Sequence, residues 1–515
     1  MSMTATVTSN ARDNASTHTL LAALALGVAG DILFMDIGPF GPQLSLWVAL
    51  LGAITFLLNR HADPEWRKTL VLWSATAFAA TLVMVFRAAD DLIGLTLIVL
   101  ILCSTSVLLQ ARGTRWFAAR VFDYFRTGFQ MPVQVLLGII PLLGKVPLRD
   151  ASMSARTVGI VRGLLMVTPL LLVFVGLFSS ADSTFERYAS SFGDWLSLDT
   201  PKHILVVLVI SWIATGLLTC TFRGEVRESE SAGASPARDT FLTRKALGDE
   251  ETGVIMGSLV ALFLVFVILQ ASYLFGGSEM IERTSGLTVA GYARRGFFEL
   301  LSVSVLTLAV LLLISATQCN QRIFRPLALV LVACVLLILA SAAQRLGLYT
   351  DAFGLTMSRV TAVAFMVWLA CNLVSFSATV LRGRSNGFAS GLVVSGIAAI
   401  ILLGTVNPVA VVARVNLERA IEDGQEIDLT YLSSLGADAV PPILERLHEL
   451  PRFEQCVAAH NLLNSHGSAQ TKWRDDWRRW NASDAAAHKA VMDRHAELTA
   501  KVAEFVGAGP ARDRC

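Results

Sequence analysis

The chain has 515 residues, of which 54% are hydrophobic and only 16% are charged, and its mean hydropathy is +0.59. Water-soluble globular proteins carry about 25% charged residues, so this composition excludes a soluble globule and indicates a membrane protein. The net charge of +2 excludes a broad basic surface for nucleic acid.

Apolar runs of roughly the length that crosses a bilayer recur along the chain. They predict an all-α, polytopic membrane helix bundle with about eleven transmembrane helices. The runs cover 20–34, 44–58, 70–86, 92–109, 158–178, 204–221, 254–275, 297–317, 326–343, 360–380 and 388–406. The first run also has the length of a signal-peptide core, so cleavage there is an alternative to a retained helix.

Lysine and arginine are distributed unevenly between alternate loops. One set of loops holds twenty of these residues and the other set holds eight. The eight are Arg87, Arg187, Lys202, Arg283, Arg294, Arg295, Arg345 and Arg359. Because cytoplasmic loops accumulate Lys and Arg, we expect a cytoplasmic N-terminus and an extracytoplasmic C-terminal tail.

These patterns divide the chain into five segments. We expect a cytoplasmic N-terminal segment (1–18), a first membrane half (19–221), a flexible cytoplasmic linker (222–252), a second membrane half (253–406) and a small helical extracytoplasmic tail (407–515). Within the first half, the aromatic and basic stretch in 112–156 predicts an interfacial segment. Its apolar run 133–143 is too short to span, so it is either re-entrant or interfacial.

The loop before the eighth run carries the densest set of ionisable groups near the membrane, and such groups at membrane depth mark candidate functional surfaces. Its Gly-Leu-Thr motif at 286–288 recurs at 354–356, where Gly frees the turn and Thr can cap the next helix. The candidate anion-binding or partner-binding residues around the two copies are Tyr292, Arg294, Arg295, Glu299, Tyr349, Asp351 and Arg359. Both a structural ion pair between Arg295 and Glu299 and a basic pocket for an anion such as a lipid phosphate fit this pattern.

Few polar side chains fall inside the apolar runs. The candidate intramembrane polar residues are Asp31, Gln270 and Asn372, and Asp31 is the acid that lies well inside a run. We find no nucleophile-elbow, zinc-protease, P-loop or paired-carboxylate motif in a structural context that would support catalysis. The sequence therefore points away from an enzyme and predicts no catalytic residue, no metal site and no cofactor.

The tail is predicted to be helical and charged. Asp428 and Asp438 are expected to be N-caps of short helices, and Pro441 occupies a permitted first-turn position. Trp473, Trp477 and Trp480 have the spacing of one helix face, which fits either docking on the membrane surface or packing within the tail. An extracytoplasmic location would allow Cys456 and Cys515 to pair.

Several stretches resemble a known family. GLTVAGYARRGFFEL (286–300), LYTDAFGLT (348–356), LFSSADSTF (177–185) and the stretch from NPVAVVARVNLERA to ADAVPPI (407–443) are similar to a bacterial integral-membrane family of unknown function, number 4173 or the related 4153. The resemblance covers about 158–450 and implies a bacterial inner-membrane location, with no assigned activity and no catalytic residues.

We therefore expect a multi-pass inner-membrane protein, non-enzymatic, whose outer loops and tail engage an envelope component or partner protein in envelope maintenance or signalling. The expected partners are the lipid bilayer and an envelope protein or anionic lipid, without nucleic acid. The alternative is a transporter or channel for a small or lipid-linked anion, and a membrane-embedded transferase is third.

Overall fold

The computed structural model describes residues 2–35, 41–89, 91–138, 199–221, 248–275, 297–317, 320–383, 387–467 and 476–506. Every regular element in these ranges is helical, which confirms the all-α class. Nine of the described helices are long and apolar enough to cross a membrane. The expected total of eleven also includes the run 158–178, which lies outside the described residues, and Pro42–Leu58, a shorter apolar helix of 17 residues.

The described helices of the first part of the chain are as follows. They are α1 (Ser2–Phe34), α2 (Pro42–Leu58), α3 (Pro64–Phe86), α4 (Asp91–Ala111), α5 (Val121–Leu137) and α6 (Asp199–Thr219). Their long apolar stretches are explained by the bilayer, where only a helix satisfies its own backbone groups.

The remaining helices run from the second membrane part into the tail. They are α7 (Asp249–Phe275), α8 (Phe297–Ala316), α9 (Gln321–Phe353), α10 (Met357–Thr379), α11 (Phe388–Val406), α12 (Pro408–Glu422), α13 (Leu429–Ser434), α14 (Val440–Glu445), α15 (Arg452–His466), α16 (Ala482–Asp493) and α17 (His495–Val506).

The chain divides into two compact units. The first contains Met1–Leu82, Leu100–Thr114 and Tyr124–Ser229, and the second contains Val83–Val99, Arg115–Asp123 and Glu230–Cys515. In the first unit α1 packs along α6, and Gly27 permits the close approach because a Cβ there would meet the Val207 carbonyl oxygen at 2.6 Å. Small residues at such crossings are typical of membrane helix pairs.

A buried polar contact joins three helix ends in the first unit. The amide of Asn59 lies 3.4 Å from the Thr221 hydroxyl and also donates to the Thr55 carbonyl oxygen at 2.9 Å. The indole of Trp66, which is completely buried, donates to the Asn59 side-chain oxygen at 3.1 Å. These bonds satisfy the polar groups that close the α2–α3 turn against the end of α6.

The second unit has two hydrophobic cores. One lies among α7, α8, α9 and α10, and includes Phe324, Leu331 and Phe376. The other lies in the tail, where Val412, Leu447, Leu462 and Val491 from α12 to α16 pack with partly buried residues of the loops that precede α4 and α10. The tail is therefore a folded helical body with a core of its own.

The longest helix of the second unit ends beside the tail. Helix α9 has 33 residues, which at 1.5 Å per residue is roughly 50 Å, against about 30 Å for the hydrocarbon core of a bilayer. The last turn of α9 meets the tail, where the Asp351 carbonyl oxygen accepts a hydrogen bond from Arg419.

Candidate functional site

The candidate residues of the first Gly-Leu-Thr copy lie mostly outside the described residues. Tyr292, Arg294 and Arg295 fall in 276–296, and Glu299 is an exposed side chain in the first turn of α8. The expected Arg295–Glu299 pair therefore stays a prediction.

The candidate residues of the second copy meet at the turn between α9 and α10. The guanidinium carbon of Arg359 lies 4.2 Å from the ring centroid of Tyr349, and the same guanidinium donates to the carbonyl oxygen of Gly354. The Asp351 side chain is exposed, but its backbone oxygen accepts a hydrogen bond from Arg419 of the tail. The aromatic ring and the carbonyl thus engage the Arg359 cation and help to close the turn.

The tail holds this turn by its backbone. The Asn416 amide accepts from the Leu355 N–H at 2.7 Å and donates to the Leu355 carbonyl oxygen at 2.8 Å, and the Tyr431 hydroxyl accepts from the Met357 N–H at 3.1 Å. Gly354 has a φ of +77°, and a Cβ there would strike the Asn416 side chain. We call this set of contacts the turn clamp. Its hydrogen bonds satisfy the backbone groups of the α9–α10 turn and hold the turn in one conformation.

One sequence prediction at this turn was wrong in part. Thr356 is the N-cap residue of α10, as expected, but its side chain makes no capping bond and its hydroxyl instead lies 3.1 Å from the Ser358 hydroxyl. The first N–H of the helix is satisfied by Tyr431, a residue 74 positions away. A tertiary partner thus replaces the local cap.

A buried carboxylate forms the second contact between the tail and the membrane helices. Asp438 is 4% exposed, and its two oxygens accept four hydrogen bonds: from Arg87 at 3.3 Å, the Ala88 N–H at 3.0 Å, the Asn407 amide at 2.9 Å and the Ser483 hydroxyl at 2.7 Å. We call these residues the Asp438 cluster. The expectation that Asp438 caps a helix was wrong, because the residues before the turn at 437–439 and before α14 are Gly436 and Ala439.

The Asp438 cluster ties together the ends of α3 and α11. Arg87 also donates to the carbonyl oxygens of Gly404 and Thr405, both at 3.0 Å, in the last turn of α11. The Asn481 amide donates to the carbonyl oxygens of Met84 and Arg87, both at 2.9 Å, at the end of α3. The carbonyls at the end of α3 are thereby satisfied by Asn481 of the tail, and those at the end of α11 by Arg87 of the α3–α4 loop.

Asn407 lets the chain turn from α11 into α12. Its φ of +58° makes it the one residue other than glycine with a positive φ among those described, and its side-chain oxygen caps α12 by accepting from the Ala410 N–H at 3.1 Å. Asparagine tolerates this left-handed conformation better than most residues. The expected caps at Asp428, which accepts from the Tyr431 N–H at 2.8 Å, and the first-turn proline Pro441 are confirmed.

Two loops that the charge count assigned to one side of the membrane thus contact the tail. They are the α3–α4 loop through Arg87 and Ala88, and the α9–α10 turn through Leu355. The chemistry of these contacts is structural, because each strong donor and acceptor is engaged by another protein group. In the described ranges, no group of three His, Cys, Asp or Glu side chains could hold a metal ion.

The candidate intramembrane residues occupy separate places. Asp31 in α1 is 9% exposed, and its carboxylate oxygen lies 2.8 Å from Nδ1 of His203 at the start of α6. Asn372 is buried and donates to the Trp368 carbonyl oxygen at 2.7 Å. The side chain of Gln270 lies outside the described residues. Sequence reasoning missed His203, whose only signal was its place directly before the apolar run 204–221.

Several ionisable groups of the tail are perturbed. Burial, followed by the nearby His488, lowers the pKa of His466, and Nδ1 of His488 lies 2.8 Å from the His466 carbonyl oxygen. The hydrogen bond from Arg478 lowers the pKa of Asp476. Cys456 is disulfide-bonded, and Cys515, its expected partner, lies outside the described residues.

The prediction that the tryptophans share one helix face is wrong for the two that the structure describes. Trp477 begins a 3-10 turn that ends at Arg479, and α16 begins only at Ala482, so Trp477 and Trp480 do not share one α-helix face. Trp473 lies outside the described residues. Trp477 is 56% exposed and Trp480 is 37% exposed.

Two cavities of the first unit are apolar and contain none of the candidate residues. One, of about 90 Å³, is lined by residues that include Thr55, Cys103 and Cys220. The other, of about 290 Å³, lies between α2 and α3 beside Val48 and Phe78.

The fold and these contacts define a membrane protein with many spanning helices and a helical body joined to the ends of several of them. The chain belongs to the family described as a domain of unknown function, DUF4153, whose profile matches residues 69–446. The match begins well before residue 158, where the resemblance was expected to start, and it ends before α15. No curated protein and no solved structure matches the chain.

Proposed function

We propose that this chain is a non-enzymatic, multi-pass protein of the bacterial inner membrane whose outer loops and tail together bind an envelope component or partner protein. Its N-terminus faces the cytoplasm and its tail faces the extracytoplasmic side. The binding surface serves envelope maintenance or signalling.

The Asp438 cluster carries this proposal. A tail linked to the membrane by a flexible connection could not present a fixed surface together with the loops. Here a buried carboxylate with four donors joins the tail to the ends of α3 and α11, and the turn clamp joins it to the α9–α10 turn. A surface pre-organised in this way loses little conformational entropy when it binds.

Two observations support the orientation. The two loops that contact the tail are ones that the positive-inside count assigned to the tail's side of the membrane, which supports the alternation of sides that the count assumes. Cys456 is disulfide-bonded, and structural disulfides persist in oxidising compartments rather than in the cytosol.

The anion-transporter alternative has no comparable support among the described residues. Arg359 is occupied by Tyr349 and Gly354. The two cavities of the first unit contain neither Arg359 nor Glu299. A transferase would need an acid–base or nucleophile constellation, and the described polar clusters are engaged in helix-end contacts.

Site-specific photocrosslinking in intact cells tests the proposal. A photoreactive amino acid replaces Phe353, which is 56% exposed at the α9–α10 turn, and in a matched control it replaces Phe129, which is 77% exposed on α5. We expect a discrete adduct from position 353 that position 129 does not give and that is lost when Asp438→Ala releases the tail. Identical adducts from both positions, or an adduct from 353 that Asp438→Ala leaves unchanged, would contradict the proposal.

Truncation of the tail is a poorer test. Cutting after Leu450 would remove Leu462, Val491 and Leu498 from the tail core. A loss of function would then report unfolding of the remaining core rather than loss of a contact surface.

A further inference from the structure

The segment 477–480 exposes two large aromatic side chains beside a helix end. Trp477 is 56% exposed and Trp480 is 37% exposed, whereas the neighbouring Asn481 is 9% exposed. Tryptophan carries a large apolar surface and an N–H donor, and it is enriched where a protein meets the boundary between lipid tails and water.

The position of this segment is fixed by Asn481. Its amide donates to the carbonyl oxygens of Met84 and Arg87 at 2.9 Å each, so the residue directly after Trp480 is bound to the last turn of α3. Ser483 adds a bond of 2.8 Å to the Phe86 carbonyl oxygen. Trp477 is four residues from Asn481, which limits its distance from this helix end to about 14 Å even in an extended chain.

The adjacent helix ends are apolar and exposed. Phe86, the last residue of α3, is 54% exposed, and Leu402 and Val406 at the end of α11 are 62% and 57% exposed. Side chains of this kind on spanning helices face lipid. Asn481 therefore holds Trp480, the residue before it, close to the point where the lipid-facing surface of α3 stops, and Trp477 lies within about 14 Å of that point.

A local ion pair lies in the turn that carries Trp477. The guanidinium of Arg478 bonds both carboxylate oxygens of Asp476, at 2.7 and 2.9 Å, which fixes the 3-10 turn from its polar side. The exposure of Trp477 and Trp480 argues against packing within the tail.

We propose that Trp477 and Trp480 insert into the headgroup region of the membrane that this protein spans, and that they seat the tail on that leaflet. The occupant of this surface is the lipid bilayer, because the surface continues the lipid-facing sides of α3 and α11. The segment lies beyond residue 446, where the family match ends. It holds whether or not the tail also binds a partner.

Difference fluorescence tests this contact in the full-length protein. The chain has ten tryptophans, and the double variant W477F/W480F removes the emission of these two alone. Wild type and variant are placed in nanodiscs of phosphatidylcholine and phosphatidylglycerol, with acyl chains brominated either near the glycerol end or near the methyl end, and aqueous iodide is added in a separate titration.

The emission of Trp477 and Trp480 is the difference between the wild-type signal and that of the double variant. We expect this difference to be quenched most by bromine near the glycerol end, less by bromine near the methyl end, and weakly by iodide. Trp66→Phe is the matched control, because Trp66 is fully buried and its difference emission is expected to resist both quenchers. Strong quenching by iodide without quenching by lipid would overturn the proposal and indicate a water-facing or partner-binding surface. Resistance to both quenchers would overturn it as well and indicate packing against protein.

Discussion

Replacement of Asp438 by alanine is expected to release the tail from the membrane helices. The substitution removes the shared acceptor of four donors, one of them the Arg87 guanidinium, at a site that is 4% exposed. Removing one partner of a buried, hydrogen-bonded ion pair costs about 3–5 kcal/mol. Here the Ala88 N–H and the Asn407 amide lose their acceptor, while Arg87 keeps only its bonds to the Gly404 and Thr405 carbonyl oxygens. Asp438→Asn retains the shape and some of the bonds, so a smaller loss of about 1–3 kcal/mol is expected.

Hydrogen exchange in the full-length protein measures this loss locally. The informative amides are that of Ala88, which donates to Asp438 at 3.0 Å, and those of α16. Each 1.4 kcal/mol changes an equilibrium tenfold, so exchange through local opening should accelerate by roughly two to three and a half powers of ten in Asp438→Ala.

Asp423→Ala is the matched control for this experiment. Asp423 is an exposed carboxylate in the same tail, and surface substitutions of this kind usually change stability by less than about 0.5 kcal/mol. If Asp438→Ala accelerates the exchange of these amides no more than Asp423→Ala does, the Asp438 cluster is not what joins the tail to α3 and α11.

Three further outcomes are expected. Asn416→Ala should cost about 1–3 kcal/mol by leaving both backbone groups of Leu355 without partners, measured as faster exchange of the Leu355 amide; unchanged exchange would refute the turn clamp. Gly354→Ala, at a φ of +77°, should lower the thermal midpoint of the detergent-solubilised protein, whereas Gly424→Ala, in open space at a φ of +64°, should lower it less; equal shifts would show that contact with Asn416 is unimportant. The pKa of His466 is lowered by burial and by His488, so the unfolded tail binds more protons than the folded one: stability is complete above the unfolded pKa of about 6.5 and falls as the pH drops through the lower folded value. Thermal midpoints measured at a series of pH values should decrease toward low pH, and His466→Gln should make this decrease smaller. The same dependence of the midpoint on pH in the variant would show that His466 is not its source.

The membrane helices were predictable because hydropathy and length alone decide them. The nine described spanning helices and the shorter α2 coincide with ten of the apolar runs in the sequence. Their ends were less predictable. Helix α9 continues to Phe353, ten residues past the apolar run that predicted it, because tertiary bonds from the tail stabilise turns that hydropathy does not mark.

The contacts that join the tail to the membrane part could not be read from the sequence. Arg87 and Asp438 are separated by 351 positions, and nothing local indicates that they meet. Asp438 has the local pattern of a helix cap, and a buried role for its carboxylate appears only when α3 and α11 end beside it. His203 was missed for the same reason, since its partner Asp31 lies 172 positions away.

Two of the four stretches that carried the family resemblance meet in the described part of the structure. LYTDAFGLT supplies the turn, VNLERA supplies Asn416 and Arg419, and ADAVP supplies Asp438. Sequence reasoning located these segments and assigned them to one side of the membrane. It assigned binding to Arg359 and Tyr349, whose described contacts close a turn.

A paired reporter fused after the last residue of the chain tests the orientation on which the proposed function depends. Alkaline phosphatase is active only outside the cytoplasm and an ordinary fluorescent protein folds to fluorescence only inside it, so the two fusions give opposite signals. We expect high phosphatase activity and no fluorescence from the tail, with the reverse after residue 230 in the linker. A fluorescent, phosphatase-inactive tail would place the Asp438 cluster in the cytoplasm and contradict the account.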